Sequence, residues 1–214
     1  SSLIYEPFDQ DEGALEGQPT SGMGLNRNWT SSLIVQSSGL SYGNLPVRGR
    51  SIANTGRRQL GNAEIDDSLR SAGLLQNGAD LWFSILHKIA PGNHAETQLS
   101  FGLTSAGLGV GQVSGFSDTA GVGIGFYISK GDELRAATWK GTDTPNMTAD
   151  SATLDLVPAV APFGSTILIV GKITWGATNT ALDKIDIYLP NTNFDLGPVV
   201  STVSASIDQS TLDM

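Results

Sequence analysis

Hydrophobic positions along the chain recur every second residue far more often than every third or fourth. In "ADLWFSILHKIA" the alternation sets Leu81, Phe83, Ile85, His87 and Ile89 on one face of a strand. In "KIDIYLP" it sets Ile185, Ile187 and Leu189 against Asp186 and Tyr188. The stretch "STILIVGKITW" is apolar on both faces from Ile167 to Val170, which predicts a central strand covered on both sides. Polar, turn-rich "GATNTALD" separates it from the next alternating run, so residues 165–189 are predicted to form a long antiparallel hairpin. Further strands are predicted at 33–36, 98–104, 109–114, 122–129, 134–139 and 199–207, joined by turns rich in Gly, Ser and Asn. The start, "SSLIYEPFDQ", reads as one more extended segment, with Leu3, Tyr5 and Pro7 on one face and Ile4, Glu6 and Phe8 on the other. A dozen or so short strands without crossover helices predict antiparallel sheets packed face to face, an all-β sandwich.

Glycine interrupts most windows long enough for a helix, and it concentrates in "GLTSAGLGVGQVSGFSDTAGVGIGFYI". On strand-like positions a missing side chain marks a bend, a bulge or the close approach of another backbone or a ligand. No fixed period repeats and no linker divides the chain, so its 214 residues are read as one domain.

Composition narrows the function. A net charge of -9 argues against a nucleic-acid partner, which is held by clustered Lys and Arg. The densest basic run, "RGRSIANTGRR", is read as a solvated loop. No window approaches the roughly 18 consecutive apolar residues of a spanning helix, so no membrane insertion is expected. With no cysteine the chain holds neither a disulfide, nor a thiolate metal site, nor a cysteine nucleophile. The many Gly, Ser and Thr residues and the low charged fraction suit a secreted or cell-surface β-protein. A start directly on an extended aromatic segment fits a mature protein whose signal peptide has been removed, and equally a chain trimmed at a domain edge.

The succession "YEPFD", "LEGQPTSGMG", "WTSSLIVQSSGLSYGNL", "DLWFSILHKI", "GSTILIVGKITWG", "DKIDIYLPNT" and "STLDM" resembles the concanavalin A-like lectin/glucanase superfamily in its laminin-G-like form. The resemblance covers nearly the whole chain. It implies a jelly-roll sandwich of two antiparallel sheets and leaves the function open. It also implies a last strand beside the first one, whereas this sequence stops at "STLDM". Two expectations follow: either further residues belong after Met214, or the segment with Leu3, Ile4, Tyr5, Glu6 and Phe8 is an edge open to strand exchange with another copy.

Catalytic patterns are weak. The Glu-x-Asp-x-x-Glu strand of glycoside hydrolases on this fold is approached by "AEIDDSLR", where Glu64 and Asp66 are spaced correctly but Leu69 stands where the second glutamate belongs. A lyase needs a proton acceptor and a group that neutralises a uronate. His87 is read as half-buried and structural and His94 as a turn residue, while Tyr127 and Tyr188 are not singled out by any pattern. No calcium loop motif occurs; Asp143 and Asp150 around "TDTPNMTAD" offer only a weak calcium alternative, and no cofactor is expected.

Sugar binding needs an exposed aromatic face with polar groups beside it. Of Trp29, Trp82, Trp139 and Trp175, Trp139 precedes a polar loop, so Trp139, Lys140, Asp143 and Tyr127 form the candidate ligand-binding set. Alternation also requires that either Trp82 or Phe83 leave the core. The leading expectation is a non-catalytic, secreted module that binds a polysaccharide or mediates adhesion. The second is a structural subunit of a filament, sheath or matrix built from copies of itself. A polysaccharide-degrading enzyme comes third.

Overall fold

The computed structural model describes residues 4–55, 59, 61–88, 99–105, 122–128, 133–140, 146–147, 152–153, 164–209 and 212. In chain order its strands are β1 (Gly13–Ala14), β2 (Leu25–Ser31), β3 (Ile34–Gln36), β4 (Ser51–Ala53), β5 (Gly61–Ile65), β6 (Asp80–Lys88), β7 (Leu99–Thr104), β8 (Val122–Ile128), β9 (Glu133–Lys140), β10 (Asn146–Met147), β11 (Ala152–Thr153), β12 (Thr166–Thr174), β13 (Leu182–Tyr188) and β14 (Ser201–Ser206). A short helix, α1 (Asp67–Ser71), lies between β5 and β6. The molecule is nearly all β, in several antiparallel sheets.

The predicted hairpin forms, with β12 and β13 in register from Val170–Tyr188 to Thr174–Lys184. β6 pairs along the other side of β12 and β14 along the far side of β13, giving the order β14–β13–β12–β6. A second sheet runs β7–β8–β9, and both β10 and β11 pair with β9. The strands predicted at 33–36, 98–104, 122–129, 134–139 and 199–207 appear with ends shifted by one or two residues, and 109–114 lies outside the described residues.

Both sheets contribute to one apolar cluster. It joins Ile169, Ile173, Ile185, Ile187 and Val203 of the first sheet to Leu103, Ile124, Phe126, Ile128, Leu134 and Ala136 of the second. Fully burying one such side chain is worth about 1.5–3 kcal/mol, so this cluster outweighs any surface ion pair described below. Phe83 takes the inward position, within 5.5 Å of Phe101 and 6.4 Å of Phe126 by ring centroids. The position opposite it on β12 is Gly171, where a Cβ would lie 2.1 Å from the Phe83 ring. The gap left by this glycine lets the ring lean across β12. In the second sheet Gly102 faces Gly125, and a Cβ on Gly125 would meet the Phe101 carbonyl oxygen at 1.9 Å. Here the concentrated glycines serve close backbone approach.

β10 pairs with Thr138 and Ala137 and β11 with Leu134 and Glu133, so the middle of β9 lacks a strand neighbour on that side among the described residues. The Ala136 N–H instead donates to Ser201 Oγ of β14 at 2.8 Å, in a buried position. This bond links the two sheets.

Residues 4–65 build a satellite core of Leu15, Leu25, Trp29, Val35 and Ala63 under the small sheets β1–β3–β4 and β2–β5. Ile4 packs against both cores. The start of the chain departs from the predicted strand. Among its described residues only Tyr5 makes a ladder contact, an isolated antiparallel bridge to Met23, and Phe8 has a φ of 54°. The reason is local: the Glu6 carboxylate accepts from Phe8 N–H at 2.9 Å, from Ser21 N–H at 3.1 Å and from Trp29 Nε1 at 3.3 Å, which curls the segment onto its own chain.

Candidate functional site

The side of the β14–β13–β12–β6 sheet turned away from the core is the polar half of the alternation that predicted its strands. In register across it lie Trp82, Lys172, Asp186 and Thr202, flanked on one side by Asp80, Thr174, Lys184 and Ser204 and on the other by Ser84, Val170 and Tyr188. Trp82 is 49% exposed, which settles the choice that alternation left between it and Phe83. Its ring reaches across β12 to stack on Tyr188, with centroids 5.8 Å apart and planes 27° from parallel. The Lys172 ammonium sits 5.5 Å from the Trp82 ring centroid. Two aromatic rings, the half-exposed Trp82 and the partly buried Tyr188, are thus held together on two strands of this face.

Polar groups around the rings are held by one another. Asp80 accepts from Lys172 Nζ at 2.9 Å and from Thr174 Oγ1 at 2.9 Å. These two bonds hold the Asp80 carboxyl below its usual pKa of 3.8, and the bond to Asp80 raises the Lys172 ammonium above its usual 10.5. Asp186 accepts from Lys184 Nζ at 2.8 Å and from Thr202 Oγ1 at 2.7 Å. Each pair keeps one partner open to solvent, Asp80 in the first and Lys184 in the second, so the main effect of the pairs is to orient donors and acceptors beside Trp82.

A general acid at neutral pH needs a raised pKa, and the Asp80 carboxyl is lowered. Among the described residues the one carboxyl pushed up by burial is Asp183, at the core end of β13. Its oxygens accept from the Gly176 N–H at 2.7 Å and the Ile207 N–H at 3.0 Å, which ties the hairpin end to the chain leaving β14. That is a structural task.

The other sequence candidates scatter. Glu64 ends on β5, paired with Arg27 at 2.8 Å, while Asp66 caps helix α1 by accepting from Ser68 N–H at 2.8 Å. Strand β5 ends at Ile65, so the two carboxylates do not share a strand face, and Leu69 packs against the main core. Tyr127 is 5% exposed on β8, opposite Arg135, and burial raises its phenol above the usual pKa of 10.0. Trp139, on β9, pairs in register with Gly123 of β8. The side chains of Trp139 and Lys140, and all of Asp143, Asp150 and His94, lie outside the described residues. His87 is half-buried on the core side of β6, as expected for a structural residue.

Among the described residues no group of three His, Cys, Asp or Glu side chains could hold a metal ion. No helix among them is long and apolar enough to cross a membrane. Of the assembly-edge candidates, Leu3 lies outside the described residues, Ile4 is partly buried, Tyr5 is bridged, Glu6 is bonded as above, and Phe8 packs on Trp29 at 5.6 Å.

Trp82 and Tyr188 were not among the ligand candidates drawn from the sequence. The signal for them was present as two polar-side aromatics, one on each alternating strand, but their juxtaposition depends on β12 lying between those strands. No protein-family model matches the chain, and neither a curated protein nor a solved structure matches it.

Proposed function

We propose that this chain is a non-catalytic, secreted or cell-surface module, a laminin-G-like jelly-roll sandwich, that binds a polysaccharide on the outer face of the β14–β13–β12–β6 sheet. The observation that carries the reading is the half-exposed Trp82 stacked on Tyr188 and ringed by Asp80, Lys172 and Thr174. An exposed aromatic pair accepts the apolar face of a pyranose, and the oriented carboxylate, ammonium and hydroxyl groups suit its hydroxyls. The many Gly, Ser and Thr residues and the low charged fraction are in keeping with an extracellular setting. The reading needs no cofactor.

Retention on a panel of insoluble polysaccharides tests it. Trp82→Ala is expected to abolish retention while the circular dichroism spectrum and melting temperature stay near those of the parent. Unchanged retention on every glycan that holds the parent removes this face, and loss in Trp139→Ala instead would return the site to Trp139, Lys140, Asp143 and Tyr127. Polymerisation through the first strand has less support, because residues 4–8 are engaged by Met23, Ser21 and Trp29 of the same chain. A hydrolytic role has less support still, because the Asp80 carboxyl has a lowered pKa and Asp186, the other carboxylate of this face, is tied to Lys184 and Thr202.

A further inference from the structure

β6 ends its sheet, and no strand among the described residues lies along its far side. The direction of its backbone follows from one bond: the Trp175 N–H donates to the Ala79 carbonyl at 2.9 Å, one step beyond the register pair Thr174–Asp80. N–H and C=O groups alternate in direction along a strand. The odd residues of β6 therefore turn theirs toward β12, and Asp80, Trp82, Ser84, Leu86 and Lys88 turn theirs to the open side. This edge is nine residues long, contains no proline and runs without a bulge. Its core-facing Leu81, Phe83 and Ile85 are only half-buried, while Ile169, Ile173, Ile185 and Ile187 on the two inner strands are 0% exposed. A long, regular edge of this kind is a template for another strand.

We infer that the strand it takes is β6 of a second copy of this chain, antiparallel, about a two-fold axis through Ser84. In that register Asp80 faces the partner's Lys88, Trp82 faces the partner's Leu86, and Ser84 faces its own counterpart. Every one of these is an outward position, so each pair exchanges both of its backbone hydrogen bonds. On the core side Phe83 meets the partner's Ile85 and Leu81 meets the partner's His87.

Charge and parity select this register over its neighbours. Shifted by two residues one way, Asp80 falls against an apolar Leu86 and Lys88 passes beyond the partner strand's end; shifted the other way, Lys88 falls against Trp82 and Asp80 passes beyond that end, so either shift breaks the ion pair. Shifted by one, outward groups oppose inward ones and every side chain changes face. The pairing is self-complementary, as a two-fold interface requires. It doubles the four-stranded sheet and leaves both Trp82–Tyr188 stacks on the same side of it.

Sedimentation velocity of the full chain across a wide concentration range, without glycan, is the test. The parent is expected to show a monomer–dimer equilibrium. Ser84→Pro removes the outward N–H at the axis, a position where an edge strand tolerates proline, and is expected to weaken dimerisation by about ten-fold or more. Lys88→Asp is expected to weaken it as well, and adding Asp80→Lys to restore it, which a different register would not do. Because the chain has no cysteine, Ser84→Cys introduces a sole thiol. In a hydrogen-bonded antiparallel pair its Cα would lie about 5.5 Å from its counterpart, within disulfide reach, so mild oxidation should give a covalent dimer. Ser204→Cys on β14 should not. A parent that stays monomeric at every concentration overturns the inference, as does a dimer that neither Ser84→Pro nor Lys88→Asp weakens. Neither outcome bears on glycan binding, which is measured separately.

Discussion

Asp183 has no exposed surface, yet its carboxylate organises two backbone N–H groups that no strand supplies with acceptors. Replacing it by Asn puts an NH2 group where one of those N–H donors points. Asp183→Asn is expected to cost about 1–3 kcal/mol in urea unfolding at neutral pH. Burial raises the Asp183 carboxyl above 3.8, so the folded protein holds this proton more tightly than the unfolded chain. The stability this group contributes is therefore fully present below pH 3.8 and declines as pH rises through the raised value. The gap between parent and Asp183→Asn should accordingly be wider at mildly acidic pH than at neutral pH, measured by urea midpoints at both. Asp80 behaves oppositely. Its lowered carboxyl keeps the pair with Lys172 intact down through 3.8, and the pair is lost only as pH falls through the lower folded value. A carboxyl titration by NMR should place Asp80 below 3.8, and Lys172→Met should move it back up. None of these partners was legible in the sequence, where Asp80 stands more than ninety residues before Lys172 and Thr174, as the contact between Thr174 and Asp80 records.

At the level of elements, β6 and β12 fit together through one absent side chain. A methyl on Gly171 would overlap the Phe83 ring, so Gly171→Ala must push that ring away from Phe101 and Phe126. Overpacking of this sort costs about 1–3 kcal/mol, and the expected sign is destabilising. Phe83→Ala opens a cavity and costs about 3–5 kcal/mol by itself. The double variant should lose less than the sum, because truncating the ring removes the clash, and a double-mutant cycle by thermal or urea unfolding reads that coupling. The strands themselves were readable, since a period of two and a turn-rich gap between 175 and 184 are enough to specify β12 and β13. The first segment was misread as a strand because its alternation is genuine but weak, and the Glu6 bonds to Ser21 and Trp29 override it. Those are contacts at sequence separations of 15 and 23 residues, which no local pattern displays.

Across the whole molecule, two sheets share a core and are stitched by Ser201, whose hydroxyl takes the otherwise unmatched Ala136 N–H. Ser201→Ala leaves that buried donor without its acceptor and is expected to lower stability by about 1–3 kcal/mol without changing the β-sheet spectrum, measured by urea unfolding followed by circular dichroism. By itself the sequence determined that the chain is all β, that 165–189 is a hairpin, and that one of Trp82 and Phe83 must face outward. These properties live in the period-two pattern, in turn residues and in composition, all of which are local. Tertiary structure alone decided which aromatic went in, because the space over Gly171 exists only once β6 lies against β12. It alone brought Tyr188 to Trp82, placed Asp80 under Lys172, and left β6 at the end of its sheet among the described residues. Each of those depends on strand order and register between segments far apart in the chain, and the alternation of a single strand says which face a side chain takes but not what it meets there.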